Sequence, residues 1–232
     1  MPVDADLALE QWRGYVGAFR GHGWEVVEID PADEHPDGVF VEDAVVVFGD
    51  VAVLTSPGAA SRRGELATVA PAIERLGLAV HRIDLPGTLD GGDVLKVGRT
   101  AYVGRSTRTN DAGIEQLRAI VAPAGWTVVA VPVTKVLHLK SAVTALPGGP
   151  VIGRTANVDD PAAFPEFLEV PEEQGTAVVD LGDGAVVMSA AAPRTAALLE
   201  ARGVHPVAVP ITEFEKLEGC VTCLSVRIRA TS

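Results

Sequence analysis

One pattern returns along the whole chain: two brief apolar strands around a tight turn, then a helix, then a third strand. The strand pairs are Val45–Phe48 with Val51–Thr55, Val94–Val97 with Ala101–Val103, and Val178–Leu181 with Ala185–Met188. Between them lie Gly49-Asp50, Gly98-Arg99 and Gly182-Asp183-Gly184, residues suited to hairpin turns. Trp12, Tyr15, Val16 and Phe19 fall at i, i+3, i+4, i+7 and predict a first helix. Further helices are predicted over Arg62–Leu76, Thr109–Val121 and Pro193–Arg202, with a short one near Ala162–Phe167. The strands expected after the five helices are Trp24–Ile29, Leu78–Ile83, Trp126–Val131, Leu168–Val170 and His205–Val209.

Units ending about every 40 to 55 residues signal a repeat architecture, α/β in class, of the solenoid or propeller-like kind. A doubly wound sheet also alternates helices and strands, but its βαβ crossovers need no strand pair ahead of each helix. The chain opens on a helix, so the first of five ββαβ units lacks its opening strands, and a lone strand is expected over Val221–Ile228. No linker or composition break divides the sequence, which predicts a single domain over residues 1–232.

A net charge of −12 argues against a nucleic-acid partner, because phosphate binding needs clustered Lys and Arg. It is compatible with a cationic substrate. No run approaches the roughly 18 apolar residues that span a bilayer. Nor does the N-terminus resemble a signal peptide, so a cytoplasmic location is expected.

Position within the unit singles out the chemistry. Asp43, Asp93 and His138 stand at or just before the first strand of their units, and Cys223 stands in the final strand. Radial repetition would gather such positions around one axis. Each has an ordinary reading as well: Asp90-Gly91-Gly92-Asp93 as a turn, His138 between Leu137 and Leu139 as a core histidine, Glu42-Asp43 as a solvated strand entry. Yet Glu42 and Asp43 interrupt an apolar run from Val39 to Phe48, and buried charges must be paired or functional. A thiol, an imidazole and grouped carboxylates together suit a cysteine hydrolase. Cys220 and Cys223, three apart on a strand, would face opposite ways, which speaks against dithiol or zinc chemistry. Neither metal nor cofactor is expected.

Six motifs then resemble a known family in order: Asp37-x-Val-Phe-Val-Glu-Asp43, Ser56-Pro-Gly-Ala-x-Ser-Arg62-Arg63, Leu-Asp90-Gly-Gly-Asp93, Arg108-Thr-Asn110, Leu-His138-Leu-Lys-Ser141 and Thr-Cys223-x-Ser225. They are similar to dimethylarginine dimethylaminohydrolase, in the guanidino-group-modifying (pentein) superfamily with arginine deiminase and the amidinotransferases. The likeness runs from about Val3 to Ile228. It implies a pseudo-symmetric five-bladed α/β propeller, incomplete at its first unit. By the same resemblance, Cys223 attacks the guanidinium carbon of an Nω-methylated arginine, His138 handles the protons, and Asp90 orients His138. Glu42 and Asp43 grip the guanidinium, with Asp37 at the amino-acid end. Arg62 and Arg108 bind or line the approach of the α-carboxylate, and the backbone near Leu217 meets the α-amino group. The products would be citrulline and dimethylamine or methylamine. A homodimer is compatible with these expectations.

Three departures from the family pattern stand out. Its opening strand and mobile loop have no counterpart before Val3, which suggests that Met1 is an internal or misassigned start. Ser56 stands where relatives usually carry Arg, and Val178 where they often carry Asn. Two other readings are an arginine deiminase-type hydrolase of another guanidino compound and a truncated, non-catalytic guanidino-binding protein.

Overall fold

Asp4 starts the first helix: its side chain accepts from the Leu7 amide and caps α1 (Ala5–Gly21), whose buried face carries Tyr15, Val16 and Phe19. The computed structural model describes residues 2–229. After α1 come four three-stranded mixed sheets of one design, in which a hairpin is joined on its second strand by a parallel third. They are β1 (Val45–Phe48), β2 (Val51–Leu54) and β3 (Ala79–Arg82); then β4 (Val94–Val97), β5 (Thr100–Arg105) and β6 (Thr127–Pro132). The third holds β7 (Val143–Ala145), β8 (Val151–Gly153) and β9 (Phe167–Glu169), the fourth β10 (Val178–Gly182), β11 (Ala185–Ser189) and β12 (His205–Val209). Helices α2 (Leu66–Arg75), α3 (Asp111–Val121) and α5 (Pro193–Glu200) make three of the parallel crossovers. Two four-residue helices, α4 (Leu139–Ala142) and α6 (Thr212–Glu215), lie before β7 and after β12. No helix among the described residues is long and apolar enough to cross a membrane.

The described chain packs as two compact units. One joins the residues up to Glu28 with Ser141–Thr222; the other joins Ile29–Lys140 with the chain from Cys223 onward. In the second unit β1 is buried on both faces. Val46 and Phe48 pack with Val53, Leu89, Val94 and Ile114, while Val45 and Val47 pack with Leu54, Val69 and Ile73. Period-two alternation therefore feeds two cores from one strand, which is why Val45–Phe48 is apolar throughout. Each such side chain contributes about 1.5–3 kcal/mol on burial. The first unit has its own core of Leu146, Ile152, Val178, Val186, Met188 and Leu199.

Several expectations need correction. Trp24–Ile29 alternates like a strand but forms no ladder. Ala162–Phe167 holds only a 3-10 turn, Pro161–Ala163, before β9. Val221–Leu224 is a turn and residues 225–229 join no sheet; Val226 and Ile228 instead lay their apolar side chains on the β1–α2 core. Alternation shows that one face is buried, whereas a strand also needs a neighbour to receive its hydrogen bonds. The β7–β8 hairpin was not foreseen. Its signal is Pro147-Gly148-Gly149-Pro150, with φ of 88° and 113° at the two glycines.

Candidate active site

Two 3-10 turns, each feeding the first strand of a sheet, carry the buried charge. Val41–Ala44 precedes β1 and Gly91–Asp93 precedes β4. Glu42 and Asp43 are 4% and 3% exposed, and Asp90 and Asp93 are both at 0%. The turns touch through glycine. The Gly92 amide donates to Asp43 Oδ1 at 2.8 Å. A Cβ at Gly92 would stand 2.7 Å from that oxygen and 2.8 Å from Cγ of His138, and one at Gly91 would run into the Glu42 carbonyl. No larger residue fits between the two carboxylate turns and the imidazole.

His138 sits among these acids. Its Nε2 lies 2.9 Å from Asp90 Oδ2 and 3.9 Å from Asp43 Oδ1. Asp90 is itself aimed: its Oδ1 accepts the Gly58 amide at 2.9 Å, and its own amide donates to Thr109 Oγ1 at 3.1 Å. Gly58 allows this because a side chain there would strike the Arg108 backbone. Burial by itself would lower the His138 pKa, but the charge of Asp43, the bond to Asp90 and the charges of Asp93 and Asp90 outweigh it and push it up to about 9. Burial likewise works against ionised Asp43, yet the charges of His138 and Arg62, with hydrogen bonds from Arg62 and Gly92, hold its carboxyl below the usual range. The centre thus pairs an imidazolium with carboxylates.

Arg62, 7% exposed, is bound on several sides. Nη1 donates to Asp43 Oδ2 at 2.5 Å, Nε and Nη2 each reach Glu65 at 2.8 Å, and Nη2 also meets the Asp37 and Phe40 carbonyls at 3.2 Å. Its planar fork suits this task. Glu42 faces other cations: Oε1 lies 2.6 Å from Lys140 Nζ and 3.7 Å from Arg227 Nη2. Its buried Oε2 has no hydrogen-bond partner among the described residues. A carboxyl oxygen taken out of water without a hydrogen-bond partner is costly, which sets this atom apart from the other buried acid oxygens.

The Glu42 amide donates to the Cys223 carbonyl at 3.2 Å, which ties the thiol-bearing turn to the carboxylate turn. Cys223 and Cys220 are both half-buried, and neither is in a disulfide. Because residues 221–224 form a turn, the opposite-face argument built on a strand does not apply to this pair. Asp43, Asp90 and His138 could offer three ligand atoms within 4.8 Å of one another. Both oxygens of Asp43 and of Asp90 are also hydrogen-bonded, Asp90 Oδ2 to His138 itself.

Of the other residues named from the sequence, Asp37 is exposed and meets Arg62 only through its carbonyl, while Arg108 is half-buried with its amide on Ser106 Oγ at 2.9 Å. Leu217 lies in the first unit and is exposed. Sequence reasoning missed Glu65 and Arg227 and gave Lys140 no role. Glu65 stands three residues after Arg62, a helical neighbour, and Lys140 lies inside the His138 motif.

A family model described as "N,N dimethylarginine dimethylhydrolase, eukaryotic" matches residues 3–144. The N(G),N(G)-dimethylarginine dimethylaminohydrolase of Streptomyces coelicolor is 63% identical over 227 residues, 98% of this chain and 88% of the relative. The enzyme of that name from Pseudomonas aeruginosa is 35% identical over 97% of this chain and 89% of its own length. A solved structure of the Pseudomonas aeruginosa protein, a Cys-to-Ser variant complexed with citrulline, superposes with a TM-score of 0.91 at 34% identity, covering 97% of this chain and 90% of that one. With buried acids around a histidine, a tethered cysteine turn and this extent of likeness, the chain belongs to the dimethylarginine dimethylaminohydrolase family.

Proposed function

We propose that this protein hydrolyses Nω-methylated arginine to citrulline and dimethylamine or methylamine, with Cys223 as nucleophile. The observation that carries the reading is Glu42 Oε2, a buried carboxyl oxygen with no hydrogen-bond partner among the described residues, in the unit that holds His138, Asp90 and Cys223. A guanidinium N–H supplies that partner by a charge-assisted hydrogen bond.

The Cys223 thiolate attacks the guanidinium carbon, forming the C–S bond. His138, protonated near neutral pH because its pKa is pushed up to about 9, gives a proton to the departing amine nitrogen as the C–N bond breaks. The covalent thiouronium is left. Neutral His138 then takes a proton from water, whose oxygen attacks the same carbon; the C–S bond breaks to release the thiolate, and the hydroxyl proton left on the product is lost to solvent, yielding citrulline. Asp90 keeps the ring oriented throughout, as an orienting acid does beside a base. Arg62 is spent on Asp43 and Glu65, so the half-buried Arg108 is the better group for the α-carboxylate, with Asp37 at the amino-acid end.

Citrulline release should be measured side by side from asymmetric dimethylarginine, monomethylarginine and arginine. Turnover of the methylated substrates, lost in Cys223→Ser, is the expected result. Turnover of arginine alone would make the protein a deiminase, and turnover of none would leave a binding protein.

A further inference from the structure

Asp93 has no part in the steps above, yet it is fully buried and ties together the elements that carry the proposed chemistry. Its Oδ1 accepts the Leu139 amide at 2.9 Å, directly after His138. Its Oδ2 accepts the hydroxyls of Ser106 at 2.6 Å and Thr109 at 2.7 Å. The backbone decides which way those hydroxyls point. Ser106 Oγ already accepts the amides of Arg108 and Thr109, and Thr109 Oγ1 accepts the amide of Asp90. Their hydrogens are therefore left for Asp93, whose two oxygens must both accept. Gly104 gives the carboxylate room, since a Cβ there would stand 2.6 Å from Oδ1.

Resting on the reaction proposed above, we propose that Asp93 is a positioning residue: as a carboxylate it holds the backbone behind His138, joins it through Thr109 to Asp90, and helps keep His138 protonated for amine departure. The charged groups facing His138 are Asp43 from the turn before β1, and Asp90 and Asp93 from the turn before β4, with Arg62 behind Asp43. Burial raises the Asp93 carboxyl above the usual range, and the charge of His138 with the three donors offsets this only in part, so it is the donor geometry that favours the carboxylate. A residue that only filled space would affect folding and leave His138's titration alone.

The test is Asp93→Asn, which keeps the shape and an acceptor for Leu139 but removes the charge. His138 titration is followed by NMR of ring-labelled histidine without substrate, its signal assigned by loss in His138→Gln. The midpoint should fall by about one pH unit or more. Under the proposed turnover, kcat should drop about tenfold with KM changed less than about threefold. A folded Asp93→Asn protein with an unmoved midpoint overturns the proposal, whatever the substrate proves to be. Should that variant not fold, Thr109→Val removes one donor to Asp93 and the link to Asp90. It should lower the midpoint by a smaller amount, with Thr109→Ser restoring it, and an unchanged midpoint in Thr109→Val would equally sink the idea.

Discussion

The turns before β1 and β4 in the second unit and the turn before β10 in the first unit are built alike and filled differently. All three are 3-10 turns that enter the first strand of a sheet. Before β1 and β4 the buried side chains include Glu42, Asp43 and Asp93, whereas Glu173–Thr176 buries Gly175 and Thr176 and leaves Glu173 exposed. The single hydroxyl hydrogen of Thr176 is shared between the carbonyls of Ser141 at 3.0 Å and Glu173 at 2.9 Å, while Thr144 donates to the Thr176 carbonyl at 2.8 Å and accepts the Val178 amide at 3.0 Å. A hydroxyl is satisfied by neutral backbone groups. A buried carboxylate is not, and needs cations and several donors, such as Arg62, Lys140 and His138. The repeat thus supplies one backbone device, and only the second unit loads it with charge that structure alone does not need.

The comparison breaks most visibly at the thiol. Cys223→Ser should lower citrulline formation at least about a thousandfold, whereas Cys220→Ala should keep most of it. Peptide mapping after treatment with a haloacetamidine should put the label on Cys223, and label on Cys220 would reverse the assignment. Next comes the charge itself. Arg62→Met strands Asp43 and Glu65, and urea unfolding should show a loss of about 3–5 kcal/mol; a loss below about 1 kcal/mol would mean the buried charges are indifferent to one another.

The third prediction concerns pH. His138 is raised from 6.5 to about 9 on folding, so its contribution is fully present below pH 6.5 and disappears as pH climbs through 9. The stability in question is on the order of 3 kcal/mol. His138→Gln should flatten that part of the stability–pH curve, and an equally steep curve in the variant would place the titration elsewhere. The smallest effect belongs to the first unit. Thr144→Val should cost about 1–2 kcal/mol at every pH, with kcat little changed. A shifted pH profile in that variant would erase the distinction between the two sets of turns.

The repeat could be seen in the sequence because its parts are local. Hairpin glycines, the helix period of Trp12 to Phe19 and the apolar run at Val45 each follow from the chemistry of near neighbours. Where the reading failed, the missing information was a partner. Trp24–Ile29 and Val221–Ile228 alternate convincingly, but alternation cannot say whether another strand is alongside, and the second of these uses Val226 and Ile228 for packing alone. The β7–β8 strands are three residues each, too short for a period to emerge, although Pro147-Gly148-Gly149-Pro150 marked the turn between them.

By itself, the sequence determined that buried carboxylates would border short apolar strands, that a histidine and a cysteine would accompany them, and which residue types the chemistry could use. Tertiary structure alone decided their assignments. It turned Arg62 inward onto Asp43 and Glu65, set Lys140 against one oxygen of Glu42 and left the other without a donor, and tied Asp93 to the residue following His138. The reason is physical: the fate of a buried charge depends on which opposite charges and donors stand within about 3 to 4 Å of it. Apart from Glu65, three residues from Arg62, those partners come from segments 19 to 98 residues away in the chain, as Asp43 with Arg62 and Glu42 with Lys140 show.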